Sequence, residues 1–209
     1  MIVIGVLFYA TPLYKKALAR FYPDVVKLRE VTLPTDSPAL QQDAKGVLYS
    51  LTEREIGERF ARIKRYIYKG KANTAILALN KIMLSNASPP VKEKFRLLYT
   101  FVDPPDPLSI DVIPRYYEIV QEPSVYEGAY VLWSGRIAGL EKEKDEAEID
   151  LLVSDKNQET VEGIAHVAVE GTYYLENMQT VEVFGVYRGY DRKTGKLFVQ
   201  GILVRDLRI

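Results

Sequence analysis

The chain holds one histidine and no cysteine, which removes most routes to catalysis or metal binding. His166 stands in Ile164-Ala165-His166-Val167-Ala168-Val169, an apolar-alternating run in which it reads as a satisfied strand residue rather than a general base. A Ser-His-Asp triad would have to pass through that one ring. Histidine- or thiolate-rich metal sites are excluded by count, and disulfides by the absence of cysteine. No phosphate-cradling P-loop, dinucleotide fingerprint or G-x-S-x-G elbow is present. The remaining candidate for chemistry is a carboxylate run, Glu141, Glu143, Asp145, Glu146, Glu148 and Asp150. Oxygen ligands of this kind can hold calcium, but the run lacks EF-hand spacing and Lys142 and Lys144 interrupt it, so it reads as a solvated hairpin. These residues point to no catalytic group, no metal and no cofactor, and the chain is read as non-enzymatic. A hydrolase on this sequence would have to work with acidic residues alone.

The positive charges are more concentrated. Arg54, Arg59, Arg62, Lys64, Arg65, Lys69 and Lys71 fall within one short stretch against Glu55 and Glu58. Formal net charge is zero overall, yet Met1 to Glu122 carries 18 Lys+Arg and 13 Asp+Glu, net +5, and the remainder carries 10 and 15, net −5. A basic half is joined to an acidic half. The cluster reads first as a solvated helix face, then as a surface for an anionic partner, lipid headgroups included, and last as a nucleic-acid contact. A docking surface here would use Arg59, Arg62, Arg65, Tyr66 and Lys69.

Helices must carry that cluster. Met1 to Leu13 is a nearly uninterrupted apolar run, short of the roughly 20 residues a bilayer-spanning helix needs. It is compatible with the end of a membrane anchor, a buried helix or strand, or a short signal segment. Tyr14 to Val31 reads as a connector. Ser37-Pro38 then offers an N-cap with proline at the first helical position, and Leu40, Ala44, Val47, Leu48 and Leu51 follow at helical spacing. Thr52 and Glu55 form a capping box that starts a new helix. That helix carries the stripe Ile56, Phe60, Ile63 and Ile67 and stops near Gly70. Ala75, Leu79, Ile82 and Met83 mark the next helix. Ser88-Pro89 begins another, with Val91, Phe95, Leu98 and Val102 in line. Asp103-Pro104-Pro105-Asp106-Pro107 ends the helices, and Tyr116 and Tyr117 are expected to pack between two modules.

Beyond the prolines the period changes from helical to alternating. Tyr130 to Leu140, Glu146 to Val153, Thr160 to Val169, Thr180 to Tyr187 and Leu197 to Val204 read as five strands separated by turn residues. Five strands over roughly 80 residues suit an OB-like barrel, with a small sandwich as the runner-up. Gly135 and Gly139 inside the long first strand permit the bend by which one strand serves two sheets. Single-strand binding by such a barrel needs a positive groove and stacking aromatics on the second and third strands. Those strands contain no Phe, Tyr or Trp and carry Glu148 and Asp150 on one face, so nucleic acid is an unlikely ligand for it. Trp133 reads as a core anchor.

Two resemblances follow from these residues. Tyr66, Gly70, Ala75, Leu79 and Ala87 fall at tetratricopeptide-repeat (TPR) spacings, and the segment is similar to a single such repeat. It departs from that family at Arg59 and Ile82. The pattern Tyr126, Gly128, Val131, Trp133, Gly135, Ile137, with Val181, Val183, Gly185 and Gly189 later, resembles the OB-like domain of Slp-type bacterial envelope proteins. The lipid-bearing cysteine of that family is missing. The resemblances imply protein or peptide binding by the helices and association with the cell envelope. A membrane contact could come through the N-terminal segment, and a cytoplasmic location is the alternative. The expected organisation is α+β in two modules: an N-terminal segment over 1–36, an all-α TPR-like domain over 37–102, a proline-rich linker over 103–125 and a five-stranded OB-like barrel over 126–209. The expected function is protein interaction or scaffolding. The alternative is nucleic-acid binding through the basic helices.

Overall fold

The computed structural model describes residues 27–41, 46–143, 146–155, 160–171 and 174–207. Two compact units are present, 1–32 and 33–209. Of the first, the described residues contain a single 3-10 turn, Leu28–Glu30. The apolar run Met1 to Leu13 and the connector from Tyr14 lie outside the described residues, apart from the last few residues of the connector.

In the larger unit, α1 spans Glu53–Tyr68, α2 Ala72–Met83 and α3 Pro89–Tyr99. Two short helices, α4 (Tyr116–Gln121) and α5 (Pro123–Tyr126), precede the strands. The start of α1 is set by its capping box: the Thr52 hydroxyl accepts from the Glu55 N–H at 3.3 Å, and the Glu55 carboxylate accepts from the Thr52 N–H at 2.8 Å. Ile56, Phe60 and Ile63 bury the apolar stripe. Phe60 meets Phe95 of α3 edge-on with ring centroids 5.2 Å apart, an arrangement aromatic quadrupoles favour. The helix ends where Gly70 adopts φ +65°, a left-handed turn that glycine makes without strain.

The helix expected over Ser37 to Leu51 is not formed by the residues described there. Leu40 forms an isolated antiparallel bridge to Ala87 and Tyr49 an isolated parallel one to Ser85, so the described residues at 40 and 49 both lie against the turn that follows α2. The Leu48 N–H donates to the Leu84 carbonyl at 3.0 Å, and the Asn86 side chain exchanges hydrogen bonds with both backbone groups of Leu51. Carbonyls at the end of a helix need donors from elsewhere. This segment supplies them, and that tertiary demand overrides its helical spacing. Gly46, at φ +77°, also breaks the spacing.

The strands are β1 (Tyr130–Lys142), β2 (Glu146–Ser154), β3 (Val161–Glu170), β4 (Thr180–Asp191) and β5 (Lys196–Asp206). They close a barrel in the order β1-β2-β3-β5-β4, with β3 and β5 parallel and every other pair antiparallel. All five expected strands are present within a few residues of their expected ends. Gly135 is the hinge of β1, pairing at once with Val153 of β2 and Val181 of β4, and the register slips between Ile137 and Gly139. Val131, Trp133 and Ile137 of β1 join Ile149, Leu151, Val167, Val183 and Leu197 in the interior.

The barrel is closed from outside its own strands. Tyr116 and Ile119 of α4 belong to the interior cluster. The Tyr116 hydroxyl lies 3.1 Å from the Ile164 carbonyl and 2.9 Å from that of Gly195, and the Trp133 indole N–H donates to the Pro114 carbonyl at 2.9 Å. Tyr117, expected together with Tyr116 to pack between two modules, instead faces solvent, because neighbouring residues on so short a helix point in different directions.

Helices and barrel meet along α2. Ala72 and Ile76 pack against Tyr130, Phe184 and Val186 on the outer face of β1 and β4. Two buried asparagines fasten the contact. Asn73 donates to the carbonyls of Val112 and Tyr130 and accepts from the Tyr130 N–H; Asn80 donates to the carbonyls of Val125 and Glu127 and accepts from the Tyr99 hydroxyl. Buried amides with all their polar atoms engaged hold a specific register.

Candidate binding surfaces

The first surface is the solvent side of α1. At 100° per residue, Arg59, Arg62, Arg65, Tyr66 and Lys69 occupy an arc of about 120° turned away from the buried stripe of Ile56, Phe60 and Ile63. All five expected docking residues are therefore brought to one helix face. Arg62, Arg65 and Lys69 are exposed, and Arg59 and Tyr66 are half-buried. The described ion pair on this helix is Arg54 with Glu58 at 2.9 Å, near the start of the helix. Arg59 lies close enough to Glu55 to help hold its carboxyl below the ordinary range, behind the larger effect of the hydrogen bonds from Thr52. Among the described residues, no carboxylate lies within 4.0 Å of Arg62, Arg65 or Lys69.

The second surface is the outer face of β2, β3 and β5, where OB barrels characteristically receive their ligands. Glu148 and Asp150 project from β2, His166 from β3, and Lys196 and Phe198 from β5. His166 Nδ1 lies 3.1 Å from Asp150 Oδ1, its Nε2 3.7 Å from Glu148 Oε2, and the Lys196 ammonium donates to Asp150 at 2.7 Å. A carboxylate has no proton to give, so Nδ1 of His166 is the donor. Phe198, 40% exposed, meets the imidazole edge-on at 5.6 Å. Sequence reading found the carboxylates and the histidine but missed Phe198 and Lys196. The parallel crossover that lays β5 beside β3, opposing His166 and Phe198, has no local signal.

This cluster is an ion-pair array. Lys196 already occupies the position a cation would take, and among the described residues no group of three or more His, Asp or Glu can hold a metal ion. Burial alone would raise the Asp150 carboxyl, but the hydrogen bonds from Lys196 and His166 outweigh it and leave it below the ordinary range. A carboxyl depressed in the folded state contributes stability above the unfolded value, about pH 4, and loses it as pH falls further. Replacing Asp150 with Asn should accordingly weaken the pH dependence of urea unfolding below about pH 4, by at most about 1 kcal/mol for so solvated a pair. An unchanged acid limb would show that the pair is broken in solution.

Among the described residues, no helix is long and apolar enough to cross a membrane.

Comparison with known proteins matches both parts of the larger unit. Residues 111–205 match the family profile described as the spirochaete C-terminal OB fold. The match begins before the first strand, so it includes the Tyr116 helix that closes the barrel. Residues 39–99 match a domain of unknown function, DUF8514, and that span takes in residues before α1 as well as the three helices. No curated protein matches the chain. Among solved structures, a chain of a replication protein A heterotrimer bound to ssDNA aligns at 12% identity with a TM-score of 0.29, over 39% of this chain and 59% of that one. The alignment thus spans less than two thirds of that protein. The C-terminal half is a five-stranded OB-like barrel, and the described helices that precede it in the larger unit include α2, which packs upon it.

Proposed function

We propose that this chain is a non-enzymatic protein-interaction module that docks an acidic partner segment on α1 while the barrel serves as a rigid body behind it. The observation that carries the reading is the distribution of charge. Arg62, Arg65 and Lys69 stand together without a carboxylate within ion-pair distance among the described residues, whereas the usual OB ligand face presents Glu148 and Asp150 beside a single aromatic, Phe198. An acidic face repels phosphate, and one ring offers little stacking. Exposed cations without partners raise the encounter rate with a complementary acidic surface. The TPR-like spacing of the helices and the Slp-type pattern of the barrel add support to docking at the cell envelope, as does the apolar run Met1 to Leu13. The second reading is nucleic-acid binding by the same basic face, where Tyr66 and the exposed Tyr68 could stack.

A photo-crosslinking residue placed at Arg62 in native cells, with Glu148 as the control position, separates these readings. Protein adducts at 62 and none at 148 are the expected result, surviving salt and carbonate washes of the membrane fraction. Nuclease-sensitive adducts would transfer the function to nucleic acid. Adducts released into the soluble fraction would remove the envelope assignment, and absence of adducts at 62 would overturn the docking surface.

A further inference from the structure

Between α5 and the second half of β4 lies a cavity of about 240 Å³, lined by Pro123, Glu127, Tyr187, Arg188, Tyr190 and Arg192 among others. Arg188 is its distinctive group. The side chain is half-buried, and burial pushes its guanidinium below its ordinary value, with Tyr130 and Glu127 partly opposing that. Its Nε and Nη2 both donate to one neutral acceptor, the Gln200 amide oxygen, at 3.0 and 2.5 Å. No described carboxylate lies within 4.0 Å of it. A guanidinium carries five donors in a fork matched to carboxylate geometry, so a partly desolvated cation is left with three donors to satisfy beside an open cavity.

The lining defines the ligand. Arg188, Arg192 and Glu127 sum to one positive charge, which a single monoanion neutralises. Pro123 and the tyrosines supply apolar wall, and the volume lies below the roughly 300 Å³ at which pockets begin to hold drug-sized ligands. One residue-sized group fits. Glu127 in the lining already opposes a second negative charge, so a polyanion is disfavoured. A terminal carboxylate is a compact charge that brings no second one behind it.

We propose that this cavity receives the C-terminal carboxylate of a partner polypeptide, with Arg188 as the main donor and Arg192 at the rim. The proposal rests on the protein-binding reading above but uses a different surface, so each can fail alone. The test is titration of the full chain with N-acetyl-leucine and with N-acetyl-leucinamide, following the arginine Nε–H resonances by NMR. The acid should shift Arg188 at millimolar concentrations and the amide should not. Arg188→Gln should weaken binding by about tenfold, the loss expected for a charge-assisted pair. Arg192→Gln serves the same purpose should the first variant perturb distant amides. Glu127→Gln should tighten binding, because it removes a competing carboxylate, and Arg62→Gln with Arg65→Gln should change nothing. Equal shifts from the amide, tighter binding of a thymidine dinucleotide than of the acid, or no shift with either probe would each overturn the assignment.

Discussion

Replacing Asn73 with alanine is expected to lower the free energy of unfolding by about 3–5 kcal/mol. Asn73 is fully buried. Its amide nitrogen donates to Val112 and Tyr130 at 2.6 and 2.7 Å, and its oxygen accepts from the Tyr130 N–H at 2.8 Å. Tyr130 is where β1 begins, so the asparagine takes up backbone groups that no neighbouring strand can reach at that point. Alanine would leave the buried N–H and C=O of Tyr130 unpaired, each costing about 1–3 kcal/mol, and would also take the partner from the part-buried Val112 carbonyl. The start of α2 is held separately by the Asp111 carboxylate, which accepts from the backbone N–H groups of Asn73 and Thr74, both at 3.1 Å, and the substitution keeps those two bonds. Urea unfolding followed separately by tyrosine and Trp133 fluorescence measures the effect. One cooperative transition displaced to lower urea is expected. A loss under about 1 kcal/mol would mean that water replaces the side chain and that the fastening is weaker than its geometry implies.

Gly135→Ala should cost about 3 kcal/mol or more, and Gly135→Val should prevent the barrel from closing. A Cβ at this position would run into the backbone carbonyl of Leu152 and press on the Leu151 side chain. Backbone of the paired strand cannot move aside without breaking the ladder on which closure depends. The requirement is local, since β1 pairs with β2 and β4 together only over Gly135 and Arg136. Gly57, on α1, is the internal control. A Cβ there meets nothing within 4 Å, so Gly57→Ala should stabilise by about 0.5–1 kcal/mol through helix propensity. Thermal unfolding of the two variants beside the parent protein should move the midpoint in opposite directions. A Gly135→Ala protein as stable as its parent would remove the hinge from this account.

Much of this architecture is written locally. The capping box at Thr52 and Glu55, the apolar stripe of α1, the glycine stop at Gly70 and five alternating strands depend on residues close together in the chain, so period and turn chemistry reveal them. The same is true of the basic face of α1. Once the helix is known, spacing alone gathers Arg59, Arg62, Arg65, Tyr66 and Lys69 on one side. Where reading failed, the missing information was nonlocal. Leu40, Val47, Leu48 and Leu51 have helical spacing, but the turn after α2 needs hydrogen-bond partners and takes them from the backbone at Gln41, Leu48 and Tyr49. Tyr116 and Tyr117 are indistinguishable in sequence, yet one closes the barrel and the other faces water.

The sequence by itself determined which elements form and the sign of the charge each half carries, because propensity, periodicity and charge belong to residues within a few positions of one another. Only the tertiary structure decided what those elements bring together. The crossover that sets Phe198 and Lys196 beside His166, the asparagines that bind α2 to the barrel, and the cavity that leaves Arg188 half-buried with a neutral partner all join residues distant in sequence. The physical reason is that such contacts arise from chain closure and burial, which depend on where the whole backbone goes.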